Sequence, residues 1–228
     1  MEKRQCSNAL PFLIKWGSGM QTIYKTVAKE ATAEFVDRRS RFIGAVCSVT
    51  DEQQALAFIA ARKKEYWDAK HNVYAYCLRN GVCRFSDDNE PQGTAGMPVL
   101  EVLQKKGLVD CVAVVTRYFG GILLGTGGLV RAYSQSTALA VESAGIAEHR
   151  LCVFGQLRCD YAQYGRLQML FAEHGCVVDD TVFADDVTVS LHILTEHCDR
   201  FCKELTEITC GAVTFSQDQE KFDIFLQK

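Results

Sequence analysis

Val114-Val115-Thr116-Arg117-Tyr118-Phe119-Gly120-Gly121-Ile122-Leu123-Leu124-Gly125-Thr126-Gly127-Gly128-Leu129-Val130-Arg131-Ala132-Tyr133 joins a strand to a helix, and the rest of the chain is read outward from it. Upstream, Cys111 to Val115 is an apolar, β-branched run, the pattern of a strand covered on both faces. Downstream, Leu129, Tyr133, Ala140, Val141 and Ala144 recur at helical spacing, which predicts a helix from about Gly128 to Ala144 with Gly145 as its stop. Gly120, Gly121, Gly125, Gly127 and Gly128 between them permit positive φ and close backbone approach. Amides at the helix start, with Thr126, Arg117 and Arg131 nearby, form a candidate anion site. The plainer alternative is that the glycines only shape a tight corner. No phosphate-binding fingerprint is complete: a Walker loop needs a Gly-Lys-Ser/Thr ending, and the dinucleotide pattern needs glycine or alanine where Val130 stands.

At 228 residues the chain has room for one large or two small domains. No apolar run reaches membrane-spanning length, so no membrane is expected. The early patch Ala9-Leu10-Pro11-Phe12-Leu13-Ile14 is stopped by Lys15, and no cleavage site follows it. Eleven cysteines are scattered through strand-like and helix-like runs without a Cys-x-x-Cys pair. The nearest approach to a zinc set is His197-Cys198 and Cys202 with His174 and Cys176. The reading adopted is free thiols in a reducing cytoplasm, with no metal site. Net charge is −3, unevenly spread: residues 20–146 carry 15 Lys/Arg against 13 Asp/Glu, and residues 147–228 carry 7 against 14. A nucleic-acid surface therefore belongs on the first half.

In chain order, strands are expected over Ile23 to Phe35 and Phe42 to Val49, joined through the basic cluster Arg38, Arg39 and Arg41. Thr50 and Gln53 have capping-box spacing, placing a helix start near Asp51. Asn72 to Arg79 and Val82 to Ser86 read as a hairpin turning at Asn80-Gly81, with Lys70-His71 at its entrance. The acidic loop Ser86-Asp87-Asp88-Asn89-Glu90 is not an EF-hand, because Gln92 stands where the turn glycine belongs. Asp87, Asp88 and Glu90 remain weak catalytic or magnesium candidates, against a carboxylate turn that caps a helix near Ala95 to Lys106. After Ile146 the order is strand Leu151–Cys159, helix Tyr161–His174, hairpin Cys176–Ala184 and Val187–Leu194, helix Glu196–Thr209, strand Ala212–Ser216, and a short last strand near Phe222–Leu226. This is the ferredoxin-like pattern, an α+β sandwich.

The run Thr116 to Gly121 followed by Leu124 to Tyr133 resembles the signature of the IMPACT/YigZ family, of the YigZ-like branch without an RWD domain. Arg39-Ser40-Arg41-Phe42-Ile43, Ala69-Lys70-His71-Asn72-Val73-Tyr74-Ala75-Tyr76, and Ser86 through Pro98 agree with it in the same order. Asn89 departs from the family's usual glycine, and asparagine tolerates the left-handed region. The resemblance implies an extension over residues 1–19, an N-terminal domain over 20–146 similar to domain 2 of ribosomal protein S5, and a ferredoxin-like domain over 147–228 similar to domain V of the translocation elongation factor. It implies a cytoplasmic, non-enzymatic, translation-associated regulator that binds RNA or a ribosomal or translation-factor surface through the N-terminal domain. The ligand-contacting candidates are Arg41, Lys70, His71, Arg117, Tyr118, Phe119, Gly120, Gly121, Gly125, Thr126, Gly127, Gly128 and Arg131, since arginines pair phosphates and aromatics stack on bases. No cofactor is expected. Two alternatives stay open: an enzyme acting on a small phosphorylated substrate through Asp87, Asp88 or Glu90, and a protein-binding module built on Tyr118 and Phe119.

Overall fold

The computed structural model describes residues 22–226. The expected extension over residues 1–19 lies outside them. The described chain is an α+β protein with two sheets, each of five strands, and five helices. It divides into two compact units, one of residues 27–145 and one of residues 22–26 with those from 146 on.

The first unit contains β2 (Ala31–Asp37), β3 (Ser40–Ser48), α1 (Glu52–Glu65), β4 (His71–Cys77), β5 (Cys83–Ser86), α2 (Gly96–Lys105), β6 (Cys111–Tyr118) and α3 (Gly125–Ala144). Its sheet has the order β2-β3-β6-β4-β5 with antiparallel neighbours throughout. The central strands are buried along their length, as the apolar run at Cys111 requires. Ala55 and Ile59 of α1 pack on Tyr76, Leu78, Val112 and Val114. The opposite face lies under α2 and α3, where Phe42 meets Tyr133 edge-on at 5.3 Å.

Several local expectations shift. The single strand expected over Ile23 to Phe35 is two: β1 (Ile23–Val27) joins the second sheet, and a break at Ala28, tied by its N–H to the Gly145 carbonyl at 3.0 Å, separates it from β2. The cap of α1 is Asp51 with Gln54, one residue later than the Thr50/Gln53 pair. The Asp51 carboxylate accepts from Gln54 N at 2.8 Å, while the Gln54 side chain reaches back to Thr50 N. The β4–β5 loop has three residues, because Leu78 N donates to the Val82 carbonyl and Gly81 takes the left-handed position, φ 87°. Helix α3 starts at Gly125, a turn ahead of the expected Gly128.

In the second unit, β1 and β7 (Ile146–Cys159) are followed by α4 (Tyr161–His174), β8 (Val177–Phe183), β9 (Val187–Leu194), α5 (Thr195–Thr209) and β10 (Ser216–Leu226). The sheet runs β1-β7-β9-β8, with β10 paired to β7 antiparallel. Leu167, Leu170 and Phe171 of α4 and Phe201 and Leu205 of α5 share one core with Leu157, Val189 and Leu191 of the sheet. The strand expected over Ala212 to Ser216 is a helix cap instead: Ala212 N donates to the Thr209 carbonyl, Val213 N to Thr209 Oγ1, and the Val213 side chain is buried. The short last strand is correspondingly longer, running from Ser216. Its polar opening, Gln217 to Lys221, suits an outer strand with a solvated face and hides it from an apolar-pattern reading. No helix of the described residues is long and apolar enough to cross a membrane.

Candidate functional site

At one end of the first sheet, the start of β3, the start of β4 and the end of β6 come into register. Arg41 pairs with Tyr118, and Arg117 lies between Phe42 and His71. Cross-strand partners share a face and neighbours along a strand alternate, so this register sorts the expected site residues into two sets.

Arg117 and His71 are in the inner set, under α2 and α3. Arg117 Nη1 donates to Glu90 Oε1 at 2.5 Å, and Tyr133 OH of α3 donates to the same oxygen at 2.8 Å. Burial first, then the Glu90 charge, push the Tyr133 phenol well above its ordinary pKa, which keeps it a donor. The guanidinium also lies 5.4 Å from the Phe42 ring and 5.6 Å from the Phe119 ring. Both side chains of the ion pair are almost fully enclosed, 6% and 4% exposed. His71 donates from Nδ1 to the Asp88 carbonyl at 2.8 Å, and its Nε2 lies 3.8 Å from Glu90 Oε1.

The acidic loop is thus fixed by its own carboxylates. Asp87 accepts from Gly93 N, Ala95 N and Gly96 N at 2.9, 3.1 and 2.8 Å, capping α2 from nine residues upstream of Gly96. Asp88 accepts from Asn72 N at 2.7 Å and from Lys63 Nζ at 3.3 Å. Asp88 and Asn89 both hold the left-handed region, φ 42° and 68°, so asparagine fills the place where the resemblance expects glycine. All three weak catalytic candidates, Asp87, Asp88 and Glu90, are committed to protein donors. Among the described residues no three His, Cys, Asp or Glu side chains converge in a metal-binding arrangement. Replacing Asp87 by alanine strands three backbone donors and is expected to lower stability by about 1–2 kcal/mol, read as a shifted urea midpoint in circular dichroism.

In the outer set Arg41 is exposed and Tyr118 half-buried. Arg41 pairs with Glu34 at 2.8 Å and lies 5.8 Å from the Tyr118 ring, whose hydroxyl donates to Asp68 at 2.8 Å. Lys70 and Arg131 stand exposed at the start of β4 and on α3. The β2–β3 turn is made by Arg38 and Arg39, both left-handed at φ 44° and 66°. These are the positions that two-residue hairpins usually give to asparagine and glycine. Phe119, Ile122 and Leu123 project from the loop before α3, Leu123 with 81% of its surface exposed.

Four of the five glycines of that loop have a physical reason in the fold. Gly121 and Gly125 have φ of 83° and 70°. A Cβ on Gly120 would fall 2.0 Å from the Arg39 carbonyl carbon, and one on Gly128 3.0 Å from Leu124 Cβ. Gly120 N donates to Ser40 Oγ at 3.2 Å, which ties the loop to the β2–β3 turn. A Cβ on Gly127 would meet nothing, and its φ is not positive, so the fold itself gives no reason for glycine there. Helix α3 begins with no side-chain cap, and Gly125, Thr126 and Gly127 are exposed over its first turn. Local patterns reveal the glycine loop and the acidic loop. They do not reveal the Glu90–Arg117–Tyr133 contact, whose members stand 27 and 43 residues from Glu90.

Residues 38–141 match the Impact N-terminal domain, and residues 157–212 match a domain of unknown function (DUF1949). The chain is 37% identical over 190 residues to the IMPACT family member YvyE of Bacillus subtilis, covering 82% of this chain and 88% of that protein. It is 36% identical over 140 residues to the IMPACT family member YigZ of Escherichia coli, covering 60% of this chain and 69% of that one. A crystal structure described as a hypothetical protein superposes with a TM-score of 0.56 at 28% identity, covering 89% of this chain and all of its own. The signature around the glycine loop and the extent of these matches together place the chain in the IMPACT family.

Proposed function

We propose that this protein is a cytoplasmic, translation-associated regulator that binds RNA, free or on a ribosomal surface, through the end of the first sheet where α3 begins. Gly127 carries the reading. A glycine inside a helix costs about 1 kcal/mol relative to alanine, and neither its backbone angle nor its packing accounts for it. A phosphate drawn to the open amides of the α3 first turn would need that space. Exposed Arg131 stands on α3 itself, and exposed Arg41 and Lys70 lie at the same end of the sheet, with Phe119 and Tyr118 as aromatic surfaces for unpaired bases. Arg38 and Arg39, held in a conformation that costs about 1–2 kcal/mol per residue for L-amino acids, extend the same basic rim. Buried Arg117 and His71 support this surface from beneath by fixing the acidic loop through Glu90 and Asp88.

The division of labour follows the family resemblance. Residues 20–146 are read as the S5 domain 2-like part that binds, and residues 147–228 as a ferredoxin-like part. The strand order β10-β7-β9-β8, with α4 and α5 packed into one core against it, supports the second reading.

Titration of a single-stranded RNA against salt tests the surface. Three phosphate contacts contribute about 2 to the slope of log affinity against log salt, at roughly 0.7 each. The Arg41→Ala/Lys70→Ala/Arg131→Ala variant is expected to lose that slope together with affinity. Gly127→Ala is expected to bind more weakly while its thermal midpoint stays level or rises, since alanine favours the helix. Binding by both variants equal to that of the wild type would remove the surface from the account. Binding indifferent to salt would transfer it to a protein partner held by Phe119, Ile122 and Leu123.

A further inference from the structure

Three cysteines stand in a row across the first sheet. Cys77 of β4 is paired in register with Cys83 of β5 on one side and with Cys111 of β6 on the other. In-register partners project from the same face. The pair Leu78/Val82 next to Cys77/Cys83 is hydrogen-bonded, Leu78 N to the Val82 carbonyl at 2.8 Å. Pairs alternate along an antiparallel ladder, so Cys77/Cys83 is a pair without backbone hydrogen bonds, the kind whose side chains approach more closely, with Cα atoms about 4.5 Å apart. That separation lies within the disulfide range of about 4.4–6.8 Å. The two sulfurs are 2.8 Å apart. Cys111 is fully buried and its thiol faces the Val112 carbonyl at 3.8 Å. Cys83 is half-buried, the least enclosed residue of the row.

We propose that Cys77 and Cys83 are a redox pair, in which a hydroperoxide oxidises the Cys83 thiolate and Cys77 resolves it to a cross-strand disulfide. In the first step the Cys83 sulfur takes the distal oxygen of the hydroperoxide. The O–O bond breaks, a sulfenic acid forms, and hydroxide or alkoxide leaves. In the second step the Cys77 sulfur attacks the Cys83 sulfur, the S–O bond breaks, and the Cys77 proton leaves with the hydroxyl as water. Two electrons pass from the two thiols to the peroxide. Two equivalents of a monothiol such as glutathione restore the dithiol by exchange, ending as a glutathione disulfide.

The surroundings favour Cys83 as the attacking sulfur. The hydrogen bond shared with Cys77 lowers the Cys83 thiol below its ordinary pKa, against the opposing effect of burial, with Gln104 and Arg84 acting in the same direction as the hydrogen bond. A low-pKa, partly exposed thiol beside a resolving thiol is the arrangement redox-sensing cysteines share. The cross-link would clamp edge strand β5, which leads into the acidic loop holding Asp87 and Glu90. Oxidation at the hairpin thus acts on the segment that fixes α2 and Arg117.

Trypsin separates the three thiols, because Lys70, Arg79, Arg84, Lys106 and Arg117 place Cys77, Cys83 and Cys111 in different peptides. The full chain, reduced and then exposed to a few equivalents of hydrogen peroxide, is blocked with iodoacetamide and digested. The expected product is peptide 71–79 linked to peptide 80–84, lighter by two hydrogens than the sum of its free parts and released by dithiothreitol. In the Cys77→Ser variant the linked peptide is expected to vanish and Cys83 to advance to the sulfinic acid. Recovery of both peptides fully alkylated after peroxide treatment of the wild-type chain would overturn the proposal, and so would a link from peptide 71–79 to the Cys111 peptide instead. The wild-type digest decides the matter even if the variant folds poorly.

Discussion

Replacing Glu90 with alanine is expected to lower stability by about 3–5 kcal/mol, the loss that follows when one partner of a buried ion pair is removed. The reason lies in what remains. Arg117 would stay enclosed, its guanidinium 5.4 Å from the Phe42 ring and 5.6 Å from the Phe119 ring, with the Ser40 hydroxyl 3.5 Å from Nη2 as its remaining side-chain hydrogen-bond partner. Tyr133, itself fully buried on α3, would lose the acceptor of its hydroxyl. Replacing both charged partners removes the stranded charge, so Glu90→Ala/Arg117→Met is expected to be less destabilised than Glu90→Ala alone. Urea denaturation of the three proteins, followed by circular dichroism, measures this. Equal stability of Glu90→Ala and wild type would show that the pair does not hold the acidic loop.

Gly120→Val is the second large effect, expected to cost about 3 kcal/mol, the upper end for forced overpacking. An added Cβ would lie 2.0 Å from the Arg39 carbonyl carbon and 2.2 Å from its oxygen, both backbone atoms that cannot rotate away. Relief requires the β2–β3 turn to move, which breaks the bond from Gly120 N to Ser40 Oγ. Gly127→Ala, seven residues on, meets no atom and is expected to be neutral or stabilising by up to about 1 kcal/mol. Opposite signs in one loop, compared by thermal melts, separate the glycine that shapes the corner from the one for which the fold has no need. A large loss in both variants would contradict that separation.

Much of the fold is legible because it is periodic. The apolar run at Cys111 to Val115 and the spacing of Leu129, Tyr133 and Ala140 announce β6 and α3. Aspartate and glycine punctuation similarly marks α4, between Asp160 and Gly175, and the turn at Asp185–Asp186. What escapes the sequence is decided at long range. The polar outer strand β10 has little apolar pattern of its own and is specified by pairing with β7. The segment Ala28 to Glu30 looks continuous with its neighbours until its amide finds the Gly145 carbonyl. In the candidate site, the local pattern reads the acidic loop as a carboxylate turn capping the next helix, and the three amides that Asp87 accepts from show which carboxylate does so. Spacing also singles out Arg117 but cannot tell an exposed arginine from a buried one. That distinction follows from pairing register: Arg117 shares a face with Phe42 and His71, and Arg41 with Tyr118.

The central claim is that the exposed rim, rather than the buried pair beneath it, makes the translation-related contact. Cosedimentation with ribosomes at low and moderate salt, comparing the wild-type chain with Arg41→Ala/Lys70→Ala/Arg131→Ala, tests it most directly. The account predicts that the wild type pellets with ribosomes at low salt and less at moderate salt, while the folded variant stays in the supernatant. A wild-type chain that stays in the supernatant at both salts, or a variant that pellets as the wild type does, would contradict it.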